Sequence, residues 1–153
     1  MGQDILKEQL VQFLYGGMAF LPFKQIIENY PEDKINKKIP GVDYTPYQLM
    51  EHARIAQWDI LEFMKDTSFQ SPDWPEGYWP DKSKEATIEE WDASVKQFFT
   101  DLNEVETMIK DDQMDLLANL PDTEDYNYLR EVLLIAHHNA YHVGQLMMFA
   151  KSE

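Results

Sequence analysis

Cysteine is absent from this chain of 153 residues. Its absence rules out disulfides, thiolate metal ligands and cysteine nucleophiles together. Positive charge is scarce: 13 Lys+Arg stand against 28 Asp+Glu, a formal charge of −15. So acidic a surface repels phosphate backbones and anionic lipid, so neither nucleic acid nor a membrane is an expected partner. No apolar run approaches the ~20 residues of a membrane-spanning helix. Residues 1–14 lack the basic start and continuous apolar segment of a secretory leader. A cytoplasmic location is the simplest expectation. Period-two alternation is missing too, which argues against strands. What remains is 44% hydrophobic and 13% aromatic, enough apolar material for one globular domain over 1–153.

The apolar pattern predicts four helical segments and two long connections. The first covers residues 4–30, with Leu6, Leu10, Phe13 and Leu14 at helical spacing. Pro22 should kink or break it, and Gly16-Gly17 interrupts the pattern nearby. A polar connection follows over 31–43. The second helix has the clearest start, at Thr45-Pro46-Tyr47-Gln48: a capping hydroxyl, proline at the first helical position, and a glutamine that reaches back to the cap. It runs to about Lys65. Residues 66–86 form a long loop with Pro72, Pro75, Gly77 and Pro80, and with four rings, Phe69, Trp74, Tyr78 and Trp79. Those rings either pack the loop onto the helices or wall an active-site mouth or subunit interface. A second capping box, Thr87-Ile88-Glu89-Glu90, opens the third helix, which ends near Lys110. The fourth begins after Pro121-Asp122-Thr123 and continues to the C-terminus. The expected fold is all-α, a four-helix bundle with long connecting loops, whose core-facing side chains can build a metal site.

Only four histidines are present, His52, His137, His138 and His142. His138 and His142 are one helical turn apart on the same face, where two imidazoles can share an ion. His137 is rotated about a quarter turn away at ~3.6 residues per turn and does not join that face. His52, the one remaining imidazole, is the candidate third ligand. Three neutral imidazoles leave an open coordination position, which suits catalysis better than a closed structural site. Asn139 stands where a zincin motif needs glutamate, so a protease of that type is not expected.

The residues Pro40-Gly41-Val42, Gln48-Leu49, Glu51-His52, Arg54-Ile55-Ala56-Gln57-Trp58-Asp59-Ile60, Gln70-Ser71-Pro72, Trp74-Pro75, Gly77-Tyr78-Trp79-Pro80 and His138-Asn139-Ala140-Tyr141-His142-Val143-Gly144-Gln145-Leu146 are spread over most of the length of the chain. In them the sequence resembles the DinB-like (damage-inducible) superfamily of metal-dependent proteins. The resemblance implies a four-helix bundle with a divalent ion on His52, His138 and His142, and pairing of two copies through their helices. Some branches of that family are transferases or isomerases that use low-molecular-weight thiols. Relatives often carry an acidic residue where this chain has His137, which leaves open whether His137 supports the site, lies on the surface or adds a ligand.

Gln145, seven residues after His138, and Glu131, seven before it, share the face of the metal pair. Asp59 lies seven after His52. Each is a candidate to orient an imidazole, as is His137; the alternative for each is a solvated or helix-packing role. The expected cofactor is a divalent ion, Zn²⁺ or Ni²⁺ ahead of Mn²⁺ or Fe²⁺. Two functions follow. One is a metal-dependent enzyme, a hydrolase or a thiol-dependent S-transferase whose thiol arrives with a cosubstrate. The other is a non-enzymatic dimeric stress protein that binds metal or a small ligand.

Overall fold

A computed structural model describes residues 2–153. Five α-helices are present among them: α1 (Gly2–Leu14), α2 (Phe23–Ile27), α3 (Pro46–Lys65), α4 (Ile88–Lys110) and α5 (Tyr128–Lys151). No strand occurs among the described residues, only two isolated bridges. The all-helical expectation holds. Helix α3 packs against both α4 and α5, and α1 contacts the same two helices. Leu14, Leu49, Leu61, Phe98, Leu102 and Ile135 meet in the core they share, each fully buried.

The first segment, expected over 4–30 with a kink or break at Pro22, is interrupted earlier than that. Helix α1 stops at Leu14, ahead of Pro22, because Gly16 and Gly17 adopt φ of 69° and 85°. Only glycine enters that region without strain. A Cβ on Gly16 would also lie 2.8 Å from the Phe20 ring. The reversal is closed by Phe23 N–H donating to the Tyr15 carbonyl at 2.9 Å. Pro22 then serves as the entry to the short α2. The last helix starts later than expected. Asn127 caps α5 by accepting from Arg130 N–H at 2.8 Å.

The start of α3 matters most, because His52 sits on its second turn. Thr45 Oγ1 accepts from Gln48 N–H at 3.3 Å, and Gln48 Oε1 accepts from Thr45 N–H at 3.0 Å. Both residues are buried. Thr45→Ala is expected to cost about 1 kcal/mol of stability, the usual loss for a capping hydroxyl. Urea unfolding with an unchanged slope checks it; no shift in midpoint would mean that Gln48 and Pro46 suffice to start the helix.

A buried polar bridge ties α4, α3 and α5 together. Gln57 Nε2 donates to the Phe98 carbonyl at 2.8 Å, and Asn139 Nδ2 donates to Gln57 Oε1 at 2.7 Å. Asn139 is fully buried and Gln57 nearly so. Hydrogen bonds in such surroundings depend strictly on helix register, since a slip would leave buried groups unpaired. The register they hold is the one that sets His52 opposite His138.

Candidate metal centre

Helix α3 contributes His52, and α5 contributes His138 and His142. The three rings converge: centroids are 4.3 Å apart for His138–His142, 4.8 Å for His52–His142 and 5.1 Å for His52–His138. One ring nitrogen from each lies within 4.8 Å of the other two, a grouping that can hold a metal ion. His138 Nε2 and His142 Nε2 are 3.1 Å apart. Two nitrogens bound at ~2.05 Å to one tetrahedral ion stand about 3.3 Å apart, so that pair already has the required separation.

The outer nitrogens indicate which ring atoms remain free for an ion. His52 Nδ1 lies 2.9 Å from the Tyr78 backbone carbonyl. A carbonyl only accepts, so Nδ1 carries the proton and Nε2 presents its lone pair inward. His142 Nδ1 lies 2.7 Å from Gln145 Oε1, and Gln145 Nε2 donates to the Tyr44 hydroxyl at 3.0 Å. The tyrosine thus orients the amide so that its oxygen faces the imidazole. His138 Nδ1 is buried with no hydrogen-bond partner.

Burial, reinforced by the neighbouring imidazoles, pushes His138 down to about 3. Burial likewise pushes His142 down to about 4, against the opposing pull of Gln145. His52 is lowered by burial, partly offset by the Tyr78 carbonyl. All three rings are therefore neutral near pH 7, the protonation state that a metal ligand needs.

Rings enclose one side of the cluster. Trp79 stacks on His52 at 4.0 Å and 5° between planes, and Tyr44 packs on Trp79 at 5.3 Å. Tyr141, largely exposed, meets His142 edge-on at 5.0 Å. The aromatic loop thus divides its roles. Trp79 walls the cluster, Phe69 packs edge-on against Trp58, and Trp74 stays 76% exposed.

The supporting candidates separate in space. Gln145 reaches an imidazole, that of His142. Asp59 touches none; its Oδ2 accepts from the Tyr78 hydroxyl at 2.7 Å. Glu131 is buried beside Arg130, its ion-pair partner. Two helical turns, about 10.5 Å, separate its position from that of His138. His137 is exposed and lies outside the three-ring group. Sequence reasoning offered Tyr78 and Trp79 only among the loop rings that could wall an active-site mouth, and it did not single out Tyr44. The loop rings were visible as a group, whereas nothing local marks Tyr44.

The DinB superfamily model matches residues 23–146, a span that contains all three histidines. The chain belongs to the DinB superfamily. Neither the curated proteins nor the solved structures contain a significant match to it.

Proposed function

We propose that this protein is a divalent-metal enzyme whose ion is held by Nε2 of His52, His138 and His142. The observation that carries this reading is the convergence of three neutral rings, two of them with Nδ1 engaged by acceptors that direct Nε2 inward. Zn²⁺ or Ni²⁺ suits an all-imidazole set better than Mn²⁺ or Fe²⁺. Bound there, the ion would supply Lewis acidity and lower the pKa of a bound water or thiol. The ligands carry no charge to offset the ion's own, which favours an anion in the open position. Trp79 and Tyr44 shield one flank from water, and Gln145 holds the His142 ring in place. The reactions that fit are hydrolysis and thiol-dependent S-transfer. For the latter, a low-molecular-weight thiol would enter as cosubstrate, since the chain has no cysteine. We place the protein in the cytoplasm; no helix among the described residues is long and apolar enough to cross a membrane.

The deciding experiment is elemental mass spectrometry on untagged protein beside His52→Ala and His138→Ala. About one equivalent per chain, lost in both variants, is expected for a site with this ligand count. Protein that is metal-free and takes up neither added Zn²⁺ nor Ni²⁺ would sink the proposal. Ligand binding without turnover in thiol-transfer and hydrolase screens would favour the non-enzymatic module.

The protein acts as a homodimer paired through α5. The exposed positions of that helix between 133 and 148 are Leu133, Leu134, His137, Tyr141, Gly144 and Met148. None carries a carboxylate, in a chain of net charge −15. An uncharged apolar stripe suits a two-fold contact with its own copy, and Gly144 leaves open space for close approach. Light scattering should give twice the chain mass, and Leu134→Glu with Tyr141→Glu should give the monomer. A monomeric wild type at micromolar concentration would refute the pairing.

A further inference from the structure

Residues 66–85 form an exposed strap: none of them is buried. Few contacts hold its centre to the helices. Gln48 Nε2 donates to the Lys82 carbonyl at 3.2 Å, and Trp79 stacks on His52. Towards its ends, Phe69 packs edge-on against Trp58 of α3 and Lys84 pairs with Glu90 of α4, while at its centre Tyr78 touches α3 at two places. Its backbone carbonyl meets His52 Nδ1 at 2.9 Å, and its hydroxyl donates to Asp59 Oδ2 at 2.7 Å. His52 and Asp59 are seven residues apart, on one face of α3 and about 10.5 Å along its axis. Tyr78 therefore lies along the helix as a stiff spacer, pinned at the far end by a carboxylate and pressing its carbonyl on the imidazole at the near end. The other oxygen of that carboxylate, Asp59 Oδ1, is buried with no hydrogen-bond partner. The phenol is thus what compensates a carboxylate otherwise poorly satisfied, which gives the pin its strength.

We infer that Tyr78 and Asp59 are positioning residues for His52: the phenol–carboxylate bond holds the strap so that the Tyr78 carbonyl fixes the tautomer and orientation of the imidazole. This rests on the metal reading above. It assigns Asp59 an effect on the site through the strap rather than through contact with a ring. The coupling must run both ways, because an ion that fixes His52 as its Nδ1–H tautomer favours the docked strap to the degree that docking favours the ion.

The test is competitive Zn²⁺ titration of the full chain, wild type beside Tyr78→Phe, Asp59→Leu and Asp59→Asn. It is paired with nitrogen-15 NMR of the histidine rings with and without Zn²⁺. Tyr78→Phe keeps the ring and the backbone carbonyl and removes only the pin. Partners that orient a metal ligand are worth 10–100-fold in affinity, and this one acts a step further out, so about a tenfold loss is expected. Asp59→Leu should match it, whereas Asp59→Asn, which still accepts, should recover most of the affinity. The His52 Nδ1–H tautomer, single in the wild type, should become mixed in Tyr78→Phe even without metal. A merely structural role would leave the tautomer alone. Tyr78→Phe with wild-type Zn²⁺ affinity and an unmixed His52 tautomer overturns the inference and leaves the metal reading standing. A wild type that binds no Zn²⁺ overturns the metal reading, and the tautomer in metal-free protein then decides whether Tyr78 positions the ring.

Discussion

Zn²⁺ at a thousand times its dissociation constant is expected to stabilise the folded chain by about 4 kcal/mol, and His142→Ala to abolish that gain. The reason is topological. His52 belongs to α3 and the other two ligands to α5, so the site exists only when those helices are docked in register. An ion that binds the folded chain and not the unfolded one shifts the equilibrium by mass action. Protons oppose it. His138 and His142 have folded values near 3 and 4, against ~6.5 for an unfolded histidine. Between those limits the unfolded chain binds more protons than the folded one. The stability of the metal-free protein therefore rises with pH across that window and falls on acidification below about 6.5. Protons also compete with the ion for the same nitrogens, so the Zn²⁺ increment should shrink in the same direction. Thermal unfolding at pH 7 and pH 5, with Zn²⁺ or with a chelator, checks both effects. A metal-free midpoint that does not fall between pH 7 and pH 5 would contradict the burial of these rings. An increment retained in His142→Ala would place the ion elsewhere.

The histidine pair was legible because its geometry is local: four residues on one helix determine the shared face. His52 was legible from the residues by elimination among four histidines, and from the family resemblance; its distance from the pair depends on the packing of α3 against α5. Both capping boxes were readable for the same local reason, since four consecutive residues suffice to define each. The break after α1 was placed at Pro22, yet the left-handed glycines at 16 and 17 end the helix first. Gln145 was found by its spacing from His138, but its partner is His142, one turn away. Glu131 had the same seven-residue spacing in the other direction and touches no imidazole. A common face does not bring side chains together across two turns. Tyr78 was beyond reach because the group it offers His52 is a backbone carbonyl, which has no side-chain signature. Tyr44 was missed because its role depends on Gln145, a hundred residues further along the chain.

Phe98→Ala is expected to cost about 3–5 kcal/mol, a large share of the roughly 5–15 kcal/mol that holds a domain of this size together. Phe98 is fully buried on α4 and meets Phe99 edge-on at 5.3 Å. Truncation removes the transfer free energy of the ring and leaves a void that the surrounding helices close only in part. The void would open where register is decided, because the Phe98 carbonyl accepts the Gln57 end of the bridge that continues to Asn139. Relaxation of α4 into the space would lengthen that hydrogen bond, so the cost should exceed that of a cavity lined only by aliphatic side chains. Phe98→Leu, which fills more of the space, should lose markedly less. Urea unfolding of the metal-free protein, followed by circular dichroism with the slope held common, measures both. Equal losses in the two variants would mean that the backbone bridge, rather than ring volume, dominates at this position, and a loss below about 1 kcal/mol in Phe98→Ala would mean that the core closes over the gap.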